Sequence, residues 1–290
     1  MELPLVVGVD GSDGSLTALD WAVDEAARRG LPLRIVHASL WERYEGTVPS
    51  FGSERPADEI MTERVMASAE QRVRKRAPAV QAHPVAVPED AAAALLRESH
   101  EAALVVTGSS GRGALKGLLL GSVSLAVAGR AHCPVVVVRG EAKNVRGECH
   151  KVVVGVGDPA ESAAALRFAL REARARTCEV EAVRAWRCAE QRPADRTRTA
   201  GDTAYAHEER AARFLAGALA EPQGEYPDVP VRRTAVEGPA HKVLVGLSAD
   251  ADLLVVGSGR RQGHLGLQLG RVSHTALHHS ACPVAVVPHA

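Results

Sequence analysis

Along the chain, short runs of β-branched residues alternate with longer stretches whose apolar positions recur at helical spacing. Leu5 to Val9 is the first run and reads as a central strand. Ser15 to Arg29 sets Leu16, Leu19, Ala22, Val23 and Ala26 on one helical face, and Gly30 supplies the stop. A second strand follows at Leu33 to Ala38, a helix at Asp58 to Arg76, a short strand at Val85 to Val87 and a helix at Asp90 to Glu101. Leu104 to Thr107 is again apolar and ended by glycine, the pattern of a strand covered on both faces. After a glycine-rich loop, an apolar helix opens at Gly121-Ser122-Val123-Ser124, with Ser122 or Ser124 as its expected cap, and the strand Val135 to Val138 closes the series. Strand, helix and strand joined by short connections imply right-handed parallel units. Trp41 to Ala57, richer in Gly, Pro, Ser and charge, reads as a loop able to lie over a site.

The order then repeats. Lys151 to Val156 matches the first strand, Ser162 to Ala175 the first helix, Glu179 to Trp186 the second strand and Arg187 to Gly201 the loop. Ala204 to Ala220 reads as helix, Val231 to Val236 as strand and Ala240 to Ser248 as helix, and Leu253 to Pro288 replays the stretch that began at Leu104. Gly108, Gly121 and Cys133 align with Gly257, Gly270 and Cys282 at one constant offset, so this match contains no insertion. The pattern predicts a duplicated α/β chain with domains at 1–140 and 151–290, joined by a polar linker from Gly140 to His150.

Composition narrows the function classes. The chain has 290 residues, 35 of them basic and 35 acidic, so it does not carry the charge of a general polyanion binder. Arg72, Arg74, Lys75 and Arg76 form a basic cluster without aromatic interleaving; a solvated helix end accounts for it better than nucleic-acid contact. Five cysteines, an odd number without CxxC spacing, argue against a disulfide framework and a zinc ribbon. Cys133 and Cys282, each before Pro-Val, read as small buried hydrophobes in a reducing compartment. The N-terminal apolar run is too short for a signal peptide or a membrane span, and no later window is long enough, so a cytoplasmic protein without membrane contact is expected. His274, His278 and His279 read as a helix face rather than as a zinc set, and no Walker lysine, GxSxG or HExxH pattern occurs.

Two features carry chemistry. Asp10 ends the first strand, and in an open α/β sheet ligands are met at the carboxyl ends of strands; the alternative is a helix-capping Asp. The start of the helix at Gly121 offers free N–H groups, an anion site. A ligand spanning both has a polar head and a phosphate tail. In the second half, Gly155-Val-Gly157-Asp-Pro-Ala160 formally fits a dinucleotide fingerprint, but the second strand ends in Arg184-Ala185-Trp186 rather than in an acid for a ribose.

Gly108, two residues, Gly111, nine residues and then Gly121-Ser122 resembles the nucleotide loop of the ATP-binding branch of the universal stress protein family. The resemblance covers nearly the whole chain. It implies two tandem doubly wound parallel five-stranded sheets, Rossmann-like and similar to adenine nucleotide alpha hydrolases, paired through their last strands as an intrachain pseudo-dimer. It also implies ATP, or ADP or AMP in its place, with Mg2+ as an optional companion. Carried over position by position, Gly8, Val9 and Asp10 lie near the adenine and ribose, Ala38 against the base, and Thr107 where the family more often has an apolar residue. Gly108 and Gly111 let the backbone close on ribose and phosphates, and Gly121, Ser122, Val123 and Ser124 hold phosphates. Arg112 either adds charge or is solvated. In the second half, Gly157 replaces the acid, Arg260 the second loop glycine and Arg271 the serine after Gly270. That predicts an empty or weak second site, the alternative being that the two arginines strengthen a polyphosphate or other anion site.

The implied function is regulatory, with nucleotide occupancy setting the shape or partner affinity of the pseudo-dimer during stress or dormancy; a homodimer and a regulated protein are the further partners it implies. No residue stands as a general base beside the phosphates, so at most slow hydrolysis is expected. The rival readings are an enzyme that activates a substrate with ATP and a nucleotide-free interaction scaffold.

Overall fold

The computed structural model describes residues 2–39, 57–109, 120–187, 200–259, 261–263 and 266–288. Gly111, Arg112, Arg260, Cys188 and the loop expected from Trp41, apart from Ala57, lie outside the described residues. The chain divides into two compact units, 1–139 and 140–290.

In the first unit the elements are β1 (Leu5–Gly8), α1 (Asp13–Arg29), β2 (Leu33–Ala38), α2 (Ala57–Arg76), β3 (Ala82–Val87), α3 (Ala91–Glu98), β4 (Leu104–Gly108), α4 (Ser122–Arg130) and β5 (Val135–Val138). The strands are parallel in the order β3-β2-β1-β4-β5. Since β1 and β4 neighbour each other while their helices wind in opposite directions from them, the sheet reverses its order there, the place where such folds meet ligands. Leu5, Val6, Val7, Leu104, Val105 and Val106 are fully buried, as strands covered on both faces require. Ser12 caps α1 by accepting from the Ser15 N–H at 3.2 Å, and Gly30, at φ 66°, ends it in the left-handed region.

The second unit begins with a one-turn helix, α5 (Ala142–Val145), and then repeats the series as β6 (Lys151–Gly155), α6 (Pro159–Arg176), β7 (Glu179–Trp186), α7 (Ala200–Glu225), β8 (Val231–Glu237), α8 (Ala240–Leu247), β9 (Leu253–Gly257), a hairpin β10 (Arg261–Gly263) and β11 (Gly266–Gln268), α9 (Arg271–His279) and β12 (Val284–Val287). Its parallel order, β12-β9-β6-β7-β8, is that of the first unit. Helix α7 continues through Pro222, beyond the end expected at Ala220. Arg167 on α6 holds Glu221 and Glu225, both at 2.6 Å, on either side of that proline, which ties the last turn down.

In the first unit the same helix pair carries reversed charges. Asp20 and Asp24 on α1 each take a two-pronged guanidinium, Arg72 at 2.5 and 2.7 Å and Arg76 at 2.6 and 2.7 Å. Half of the basic cluster is therefore engaged with α1 rather than solvated. These pairs are partly exposed, so Arg72→Ala or Arg76→Ala is expected to cost at most about 1 kcal/mol each, less in high salt. Urea unfolding at two salt concentrations checks this, and a salt-independent loss of several-fold larger size would contradict it.

Cys133, Cys178 and Cys282 are buried, and burial pushes the Cys133 and Cys178 thiols up to about 11. They act as small hydrophobes. Among the described residues no helix is long and apolar enough to cross a membrane.

Candidate nucleotide site and its second copy

At the end of β1 the backbone is fixed from three sides. The Val9 N–H donates to the Val36 carbonyl at 2.9 Å, and the Val9 carbonyl accepts from His37 Nδ1 at 2.7 Å, which fixes the proton on that nitrogen. The Asp10 N–H donates to Ser15 Oγ at 3.2 Å. Asp10 Oδ1 in turn accepts from the Ser12 N–H at 2.9 Å and from the Ser12 hydroxyl at 2.6 Å. Ser12, not Asp10, is thus the cap of α1, and the half-buried carboxylate braces the turn before it.

Gly8 and Gly108 are small for a reason internal to the chain. A Cβ at Gly8 would stand 2.9 Å from Leu95 Cδ1, and one at Gly108 would stand 2.5 Å from the Gly14 carbonyl oxygen. On the side that a Cβ would occupy, Gly108 is closed by the first turn of α1, so the fold itself requires glycine there. Thr107 is buried, and its hydroxyl has no hydrogen-bond partner among the described residues. Ala38, half-buried, closes β2.

Gly121 is the cap residue of α4, at φ −63° and ψ 145°, and no side chain caps the helix. This corrects the expectation of a serine cap. Ser122 is exposed, while Ser124 is buried and its hydroxyl donates to the Gly108 carbonyl at 2.7 Å, pinning the helix to the strand. The N–H groups of Ser122, Val123 and Ser124, at the positive end of the helix dipole, have no acceptor among the described residues.

The second unit reproduces this frame. The Gly157 N–H donates to Ser162 Oγ at 2.8 Å, the Ser273 hydroxyl donates to the Gly257 carbonyl at 2.7 Å, and Gly270 is the uncapped start of α9. Leu244 Cδ1 lies 2.6 Å from where a Cβ on Gly155 would be. One position is changed in kind: Arg184 stands where β2 has His37. Its Nη1 donates to the Val156 carbonyl at 3.0 Å and also to the Gly157 carbonyl, and its guanidinium lies 4.2 Å from the centre of the Phe214 ring. Neither His37 nor Arg184 stood out in the sequence as a site residue. The signal was there in the repeat, which sets them opposite each other next to Ala38 and Ala185.

At the carboxyl ends of β6, β7 and β9 the structure opens a cleft of roughly 370 Å3, with Arg184, Arg271 and Ser273 in its lining. The ring of His241, on α8, titrates below its ordinary value, first because burial disfavours its charge and then because Arg271, Arg187 and Lys242 repel it.

Comparison with known proteins gives one consistent result. The sequence profile of the universal stress protein family matches residues 3–139 and again 148–288. Universal stress protein Rv2005c of Mycobacterium tuberculosis is 36% identical over 301 residues, covering 97% of this chain and 96% of its own. A universal stress protein from Archaeoglobus fulgidus has the same fold, with a TM-score of 0.66 at 16% identity over 99% of this chain and 98% of its own. A solved universal stress protein in complex with cAMP is 29% identical over 47% of this chain and 97% of its own, with a TM-score of 0.36.

Proposed function

The chain belongs to the universal stress protein family, and from that premise we propose that its first half binds ATP, or ADP or AMP in its place, and that occupancy regulates a partner protein in a stress response. The observation that supports this most is the start of α4. Three backbone N–H groups without an acceptor among the described residues lie next to Gly121, on a helix pinned to the end of β4 by Ser124. An anionic tail suits that place. Asp10, at the end of the neighbouring β1, suits the hydroxyls of a sugar, and the small Ala38 leaves room for a base. Mg2+ would accompany the phosphates as a counter-charge. The reading makes the protein a binding module, because no described residue is placed to activate water beside the tail.

We further propose that the two halves associate through β5 and β12. Each closes its own sheet with four small apolar residues, and an edge of that kind favours pairing.

The test is the nucleotide content of freshly purified protein, denatured and separated by chromatography, beside Gly121→Arg. Position 121 has a φ open to any residue, so the substitution brings no backbone strain, and an unfolding midpoint equal to that of the native chain is the check that the fold survives it. About one adenine nucleotide per chain is expected by simple one-site occupancy, with loss in the variant. No nucleotide, and none taken up on titration, would overturn the reading in favour of a nucleotide-free scaffold.

A further inference from the structure

We propose that the cleft of the second half is a separate site for a flat ligand with anionic groups at both ends, the chemistry of a nucleoside bisphosphate, and that it does not take the ligand of the first half. The proposal stands whether or not the first half binds a nucleotide.

Size and floor come first. A volume of roughly 370 Å3 is within the range of small-molecule sites, and Val183, Ala185, Ala240, Leu244 and Val256 give it an apolar lining for a flat body.

Charge then distinguishes it from its counterpart. At one side stands Arg184, braced on two backbone carbonyls and on Phe214, with no carboxylate partner among the described residues. Near the end of the second strand of a nucleotide-binding sheet, an acid takes sugar hydroxyls, whereas an arginine takes a phosphate on the sugar. Gly157, in the place of Asp10, leaves no carboxylate there to repel such a group, and the exposed Asp158 is outside the cleft lining. At the other side Arg271 is the first residue of α9, a nine-residue helix whose start no side chain caps, and it is exposed. A second anionic group is met there by the guanidinium and the helix N–H groups together. His241, which follows the lining residue Ala240, is depressed first by burial and then by the charges of Arg271, Arg187 and Lys242, in keeping with cationic surroundings.

Two arginines on one cleft, with the acid removed, discriminate against a ligand whose sugar is not phosphorylated. Only the doubly anionic ligand uses both, and one charge-assisted hydrogen bond is worth roughly tenfold or more in affinity.

The experiment is calorimetric titration of the full chain with adenosine 3′,5′-bisphosphate, with AMP and inorganic phosphate for comparison, in the native sequence, Gly121→Arg, Arg271→Ser and Arg184→Gln. In Gly121→Arg the bisphosphate is expected to bind as it does to the native chain and at least about tenfold tighter than AMP, and with Arg271→Ser to lose about tenfold or more. Arg271 is exposed and has no structural partner among the described residues, so that variant folds even if Arg184→Gln does not. In parallel, the His241 ring resonance should titrate at higher pH once the cleft holds an anion. No binding, loss with Gly121→Arg in place of Arg271→Ser, equal affinity for AMP in Gly121→Arg, where the first half no longer contributes, or an affinity matched by inorganic phosphate would each overturn the proposal.

Discussion

Alanine at position 108 is expected to destabilise the first half by about 3 kcal/mol, although it adds only one methyl group. The added Cβ would stand 2.5 Å from the Gly14 carbonyl oxygen and 2.7 Å from its carbon. Backbone cannot swing aside as a side chain can. Gly14 is in the first turn of α1, and that turn is tied back through Ser12 and Ser15 to Asp10, so relief of the clash moves the acid as well. Chemical unfolding of the variant should therefore show an earlier transition for one half, with nucleotide uptake lost in step. Gly121→Arg, by contrast, should lose uptake and keep its unfolding midpoint. If Gly108→Ala unfolded within about 0.5 kcal/mol of the native chain, the close approach of α1 to β4 would not be the constraint described.

Much of this fold was legible because its strands are buried on both faces and its helices on one, so period alone separates them. The runs at Leu5, Leu33, Leu104 and Val135 became β1, β2, β4 and β5 to within a residue, and the unbroken offset between the halves announced the duplication. What period does not carry is the partner of a small residue. Glycine at 108 reads in sequence as room for a ligand, and that the chain itself also needs the room is shown only by the packing of α1. Capping was misread for the same reason. Serines at 122 and 124 look like caps, but one is exposed and the other turns inward to the Gly108 carbonyl. The hairpin of β10 and β11, in the second copy of the loop, has no apolar alternation long enough to betray it. Arg184 was visible only by comparing the halves, because an arginine near a strand end is unremarkable until its counterpart is a histidine making the same contact.

The stretch from Gly140 to His150 reads in sequence as a free linker, polar and without period, yet it packs onto the second unit. Asn144 is fully buried and its amide donates to the carbonyls of Ser248, Ala249 and Ala251. Asp252, 2% exposed, accepts from the Cys149 N–H at 2.7 Å and from the Lys151 N–H at 3.3 Å. Asp252→Ala should cost about 3 kcal/mol, since it removes two bonds to a charged acceptor and strands both N–H groups. The thiol of Cys149 reports the same event. It is held above its ordinary value first by burial and then by the charge of Asp252, so removing that charge and opening the segment both lower it and speed alkylation. Peptide mapping after brief iodoacetamide treatment should show Cys149 labelled faster in the variant, with Cys133, whose thiol does not feel Asp252, unchanged. Limited proteolysis should likewise cut between 140 and 150 sooner in the variant, while the native chain resists. Once cut, halves that travel together on gel filtration support association through β5 and β12, and halves that separate overturn it. Unchanged labelling and cleavage would mean that Asp252 does not hold the segment, and that Asn144 and the Glu141 N–H bond to the Ala281 carbonyl anchor it without the carboxylate.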